Sequence, residues 1–315
     1  MMTWVYLLLS LAAVVLGAEV LVNGSVAIAK KFKISDFIIG ATIIGIGTSC
    51  PELVVSLVGA VGGNADIAIG NVVGSNICNI LLILGMTALI APVLITKDNL
   101  KFELPYCIGV SLVLTILAFN FFNGKTSVVS RPDGWILLAF FAFYLYWSFR
   151  NGGKGQASEQ REEEVACKGS DKLIVMILKV IVGLAFLVVG SHFFVEEAVV
   201  LARRFGVSDA FISITVLAVG TSLPELAASV ASAFKKNTQL ALGNIIGSNI
   251  FNISFILGVC SQVSPLHPAG ITMVDYLVMI GAALMPLAFA IRGKISRFGG
   301  LLMLAMYVAY ICYIS

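Results

Sequence analysis

GTSCPELVVS (47–56) and GNVVGSNICNI (70–80) return later in the chain as GTSLPELAAS (220–229) and GNIIGSNIFNI (243–253). The match is gapless from Ser35–Met86 to Ser208–Val259 at an offset of 173, with 25 of 52 positions identical. Upstream it fades, where AKKFKISD (29–36) faces ARRFGVSD (202–209). Internal self-similarity of this kind means two copies of one supersecondary unit.

The surroundings of the repeat decide what sort of unit it is. Of 315 residues, 59% are hydrophobic and 12% charged, with mean hydropathy +1.01. Soluble domains carry about 45–50% apolar and about 25% charged residues, so neither a water-soluble globule nor a disordered chain fits. Net charge is +3, and no basic patch points to nucleic acid. Spanning helices need about 20 mostly apolar residues. Ten stretches qualify: 4–29, 37–62, 66–92, 104–121, 134–149, 173–201, 209–234, 239–264, 275–291 and 298–314. The fold class expected is an all-α polytopic membrane protein with discontinuous helices at a central site. It divides into a first five-helix half (1–149), a short cytoplasmic loop (150–171) and a second five-helix half (172–315).

Five spans is an odd number, so the second half enters the membrane upside down. Lys and Arg agree. With both termini outside, fifteen fall in inner loops and four (Lys125, Arg131, Arg203, Arg204) in outer ones, as the positive-inside rule requires. Lys30 and Lys31 then lie inside and their repeat partners Arg203 and Arg204 outside. Inverted repeats of this kind place one site near the bilayer midplane, where the halves meet. The first hydrophobic stretch is too long for a cleaved leader and belongs to the internal repeat. The six cysteines have no metal-binding spacing and read as small apolar packing residues.

Glu52 and Glu225 stand deep in otherwise apolar spans. A carboxylate there persists only if paired, protonated or bound to a cation, and no Lys or Arg lies close in sequence within these spans. Pro51 and Pro224 remove an N–H and crowd the carbonyl four residues back, freeing oxygens near Gly47, Thr48, Gly220 and Thr221. Thr48, Glu52 and Ser56 are spaced to share one face of a proline-distorted helix, as are Thr221, Glu225 and Ser229. Asn71, Ser75 and Asn79 form a facing row, and Asn244, Ser248 and Asn252 repeat it. Gly70/Gly74 and Gly243/Gly247 permit close backbone approach. Every candidate ligand atom is oxygen, which suits Na+ and Ca2+ and disfavours softer metals. Glu19, aligned with His192, reads as packing or peripheral, and Glu196 and Glu197 read as surface. His192 and His267 have no evident partner, and Thr-Ser-x-Pro-Glu lacks the glycines of a nucleophile elbow; no enzyme is expected.

The duplicated GTSxPE and GNxxGSNIxN segments resemble the alpha-repeats of the sodium/calcium exchanger family, within the wider cation/calcium antiporters. The resemblance covers the whole chain. It implies an antiporter exchanging Na+ for Ca2+ by alternating access, with the first and sixth spans sliding as a pair over a four-helix core. It implies Glu52 and Glu225 as the Ca2+ carboxylates, with the Thr48 and Thr221 carbonyls completing the shell. Ser49, Ser75, Ser222 and Ser248 would serve flanking Na+ sites with the backbone at Gly45 and Ala218. Asn79 and Asn252 would line the middle. Some relatives, including potassium-dependent exchangers, carry Asp at the position of Asn252; Asn removes one charge and argues against K+ co-transport. The loop at 150–171 is too short for a calcium-sensing domain, which suggests a prokaryotic exchanger of the cytoplasmic membrane. Transported ions and lipid are the expected partners, with no cofactor and no obligatory protein partner. A proton-coupled Ca2+ antiporter of the same build, and a cation channel, remain the alternatives.

Overall fold

The computed structural model describes residues 2–119, 128–151, 172–205, 218–290 and 293–314. They form helices α1 (Met2–Phe32), α2 (Asp36–Thr48), α3 (Cys50–Val61), α4 (Ala65–Ile90), α5 (Asn99–Phe119), α6 (Arg131–Asn151), α7 (Leu173–Arg204), α8 (Ala218–Thr221), α9 (Leu223–Phe234), α10 (Thr238–Val263), α11 (Met273–Ala290) and α12 (Arg297–Ile314). The only sheet among the described residues pairs β1 (Val93–Leu94) antiparallel with β2 (Lys294–Ile295), in the register Val93↔Ile295 and Leu94↔Lys294. Seven of these helices are long and apolar enough to cross a membrane, or eight with α2 and α3 counted as one bent span. Helix α9 is shorter, and the expected start of its span lies outside the described residues. So do residues 152–171 of the expected central loop.

Polar residues at the element boundaries explain where the helices start. The side chain of Asn64 accepts from Ile67 N–H at 3.2 Å and caps α4. Asn237, its repeat partner, does the same for Leu240 N–H at the start of α10, at 3.2 Å. Ser35 caps α2 through Ile38 N–H. These oxygens satisfy donors that a helix end leaves bare.

Burial sorts the helices into a core and a shell. Helix α10 is buried nearly all round and α4 largely so. Around them pack α2, α5, α6, α11 and α12 in one continuous apolar cluster. By contrast α1 and α7 leave Trp4, Leu8, Leu9, Val15, Ile174, Ile181, Phe186 and Val189 exposed. So much contiguous apolar surface is incompatible with water and suits hydrocarbon.

Two helix pairs depend on missing side chains. Helices α1 and α7 run antiparallel, Gly17 lying against Leu187 and Gly24 against Val180. A Cβ on Gly17 would sit 2.8 Å from Leu187 N. Helix α10 presses on α2 the same way: a Cβ on Gly243 would strike the Phe37 carbonyl, and one on Gly247 the backbone of Ala41. The expected role of Gly243/Gly247 is therefore realised. A Cβ on Gly74 would meet no described atom within 4 Å beyond its own helix backbone, and 206–217, which aligns with the α2 residues under Gly243 and Gly247, falls outside the described residues.

Candidate functional site

The expected kinked helix is a true break. Between α2 and α3 the axis bends by 47°, and Ser49 sits at φ −84°, ψ 10°, outside helical geometry. Ser222, before α9, has nearly the same values, φ −87° and ψ 9°. Pro51 and Pro224 are thereby placed in the first turn of a new helix, where the missing N–H costs nothing. Glu52 and Glu225 follow immediately, so each carboxylate occupies a helix N-terminus, whose partial positive charge favours an anion.

The two helix starts adjoin, because each N-cap serine reaches the opposite acid. Ser49 Oγ donates to Glu225 Oε1 at 2.7 Å, and Ser222 Oγ donates to Glu52 Oε1 at 3.0 Å. Both glutamates have no exposed surface. Among the described residues no Lys or Arg pairs with either.

What surrounds the acids is more telling than what binds them. Glu52 Oε2, Glu225 Oε2, Asn79 Oδ1 and Asn252 Oδ1 are all buried and accept no hydrogen bond. Among the described residues Thr221 Oγ1 is likewise buried without a hydrogen-bond partner. Native interiors leave few buried polar groups unmet. Here the unmet atoms are oxygens on two pairs of repeat-related residues, and the segments that begin at Asn79 and Phe251 pack against α9 and α3, which carry Glu225 and Glu52. A cation is the group that satisfies such a set.

Other expected residues have more specific positions. Thr48 Oγ1 back-bonds to Ile44 O at 3.0 Å and approaches Asn244 Oδ1 at 3.3 Å. Ser248 Oγ donates to the Gly45 carbonyl at 3.2 Å, and a Cβ on Gly45 would lie 3.1 Å from Asn244 O. Ser75 is buried on α4. Ala218 opens α8.

The break separates Thr48, which ends α2, from Glu52 and Ser56, which stand four residues apart on α3, as Glu225 and Ser229 do on α9. Ser56 Oγ donates to Ala68 O at 3.3 Å. The Asn71 and Asn244 amides turn their NH2 groups toward the helices that carry the acids. Asn71 Nδ2 donates to Ser56 Oγ at 2.9 Å and to the Glu52 carbonyl at 3.1 Å. Asn244 Nδ2 reaches Ser229 Oγ at 2.9 Å and the Glu225 carbonyl at 3.2 Å. These amides brace the backbone behind each glutamate. Replacing Asn244 by Ala is expected to destabilise the protein by about 1–3 kcal/mol, the cost of stranding a buried partner. It should also weaken Ca2+ binding, because Glu225 loses its brace. Thermal unfolding in detergent, with and without Ca2+, checks both effects.

Asn76 and Asn249 were not singled out from the sequence. Asn76 Nδ2 donates to Asn249 O and Asn249 Nδ2 to Asn76 O, both at 3.2 Å. Asn79 Nδ2 donates to Asn249 Oδ1 at 2.9 Å, and Asn252 Nδ2 to Asn76 Oδ1 at 3.2 Å. The signal was present, since both Asn belong to the repeated GSNI; apolar surroundings hid which way they face. His192 does have a partner, Glu196, at 3.4 Å on the exposed face of α7. Glu19 is exposed on α1, its carbonyl 3.5 Å from the Lys235 ammonium. Neither residue enters the acid pair.

Comparison with known proteins agrees with this geometry. The family model described as sodium/calcium exchanger protein matches residues 2–150 and 175–315. The sodium/calcium exchanger MaX1 of Methanosarcina acetivorans is 33% identical, over 97% of this chain and 96% of that one. The inner membrane protein YrbG of Escherichia coli is 36% identical, over 87% and 84%. A solved structure of the sodium-calcium exchanger NCX_Mj, soaked with Na+ and Ca2+, superposes with TM-score 0.85 at 34% identity, covering 100% of this chain and 99% of that one. The chain belongs to the sodium/calcium exchanger family.

Proposed function

We propose that the chain exchanges Na+ for Ca2+ across a membrane by alternating access, holding Ca2+ between Glu52 and Glu225. The observation that carries this reading is the set of unmet oxygens about two fully buried acids. Two carboxylates neutralise one Ca2+. The Asn79 and Asn252 amide oxygens and the Thr48 and Thr221 carbonyls supply the hard, flexible shell of six to eight oxygens that Ca2+ takes. With Ca2+ gone, Na+ ions occupy the same acids and the flanking oxygens of Ser49, Ser75, Ser222, Ser248, Gly45 and Ala218. Occupancy is mutually exclusive because one pair of charges serves both ions, and that exclusion is what couples the fluxes.

The remaining architecture follows the repeat. Helix α6 and the span ending in α9 bring the crossings to ten, in two inverted five-helix halves with both termini outside and the lysine-rich loops in the cytoplasm. The apolar faces of α1 and α7 meet lipid. Their glycine-seamed antiparallel packing makes them a stiff pair able to slide over the core and expose the acids to one side at a time. The membrane is the cytoplasmic one.

Vesicles loaded with radiolabelled Ca2+ test the coupling. An imposed Na+ gradient is expected to drive Ca2+ movement, and a pH or K+ gradient to leave it at the background rate. Flux following the pH gradient alone would assign the chain to proton-coupled antiport.

A further inference from the structure

We infer that Asn76 and Asn249 are positioning residues that set the polarity of the ion site by fixing which end of the Asn79 and Asn252 amides faces it. The inference rests on the reading that Asn79 Oδ1 and Asn252 Oδ1 line the ion path.

The logic starts at two backbone carbonyls, which can only accept. Asn249 O takes Asn76 Nδ2 at 3.2 Å, so the Asn76 amide cannot be reversed: its Oδ1 must point the other way. That oxygen also can only accept. The Asn252 amide beside it must therefore present Nδ2, at 3.2 Å, which leaves Asn252 Oδ1 turned away and unpartnered. The mirror chain starts at Asn76 O, which takes Asn249 Nδ2 at 3.2 Å. Asn249 Oδ1 then takes Asn79 Nδ2 at 2.9 Å, leaving Asn79 Oδ1 unpartnered. In each case a peptide group dictates, through two amides, that an oxygen and not an NH2 is offered to the ion.

An unbraced Asn is nearly symmetric in shape, and rotation by half a turn about its last bond would exchange oxygen for NH2. An NH2 facing the acids would hydrogen-bond to them and repel a cation. All four asparagines are buried, Asn79 and Asn252 with no exposed surface, so water does not compensate either arrangement. This device lets a neutral residue serve as an ion ligand at position 252. A carboxylate there needs no such brace, because both of its ends are oxygen.

That difference supplies the test. Asn76→Leu keeps the volume and removes the brace. In the native Asn252 background it is expected to raise the Ca2+ concentration for half-maximal Na+-driven exchange in vesicles about tenfold, the scale of one lost hydrogen-bond preference. In an Asn252→Asp background the same Asn76→Leu change is expected to leave the Ca2+ requirement unchanged or lower it. An equal loss in both backgrounds would show that Asn76 merely packs, and no loss in the native background would show that it orients nothing; either overturns the inference. Asn252→Leu separates the underlying reading: if it leaves the Ca2+ requirement intact, Asn252 does not line the ion path at all. Should Asn76→Leu fail to fold, the mirror pair Asn249→Leu with and without Asn79→Asp runs the same cycle.

Discussion

Glu52→Gln and Glu225→Gln are each expected to abolish Na+-driven Ca2+ transport while the chain still folds. Each acid supplies half of the negative charge available to the guest ion, at a helix N-terminus and with one oxygen wholly unmet. Removing one partner of a buried ionic contact costs about 3–5 kcal/mol, which weakens Ca2+ binding by at least about a hundredfold. Stability should move the other way. In cation-free buffer the native protein holds two uncompensated buried acids joined only through Ser49 and Ser222. Glutamine removes one of them, so each variant is expected to unfold at a higher temperature than the native protein without ions and to lose the native protein's further gain on adding Ca2+. Scanning fluorimetry at several Ca2+ concentrations reads both signs. A variant that keeps its Ca2+-dependent stabilisation would show that the acid in question does not hold the ion.

Gly247→Val is expected to disrupt assembly more than any surface change. A branched side chain there would run into the Ala41 backbone, forcing α10 away from α2. Neither helix can yield cheaply, since α10 is buried nearly all round and α2 holds Thr48 and Gly45 against it. Overpacking typically costs about 1–3 kcal/mol, and more when backbone must move, so a loss of at least about 3 kcal/mol is expected. It should appear as low yield of monodisperse protein and a lower midpoint in detergent.

Much of this was legible in the sequence, for identifiable reasons. The two-copy segment named the acids, the prolines and the close-approach glycines directly, because each is chemically odd in an apolar span. The capping residues Asn64 and Asn237 sit where polar residues interrupt the hydrophobic runs. What stayed hidden was orientation. In a soluble helix the polar stripe shows which face is outside, whereas in a helix apolar all round that clue disappears. Spacing alone therefore could not show that the Asn71 amide braces the backbone behind Glu52, and it passed over Asn76, whose contacts are with the other repeat. Discontinuous helices at a central site were expected from the prolines; what the sequence did not mark is where the break falls, at Ser49, which leaves helical geometry and reaches across to the opposite glutamate.

The central claim is that the buried acid pair exists to hold exchangeable cations. Crystals soaked in Sr2+, a Ca2+ substitute with a usable anomalous signal, test it most directly. One anomalous peak bridging Glu52 and Glu225, lost when Na+ is raised, is the predicted result. An empty, closed acid pair in crystals of protein that still exchanges Ca2+, with Sr2+ bound elsewhere and indifferent to Na+, would contradict it.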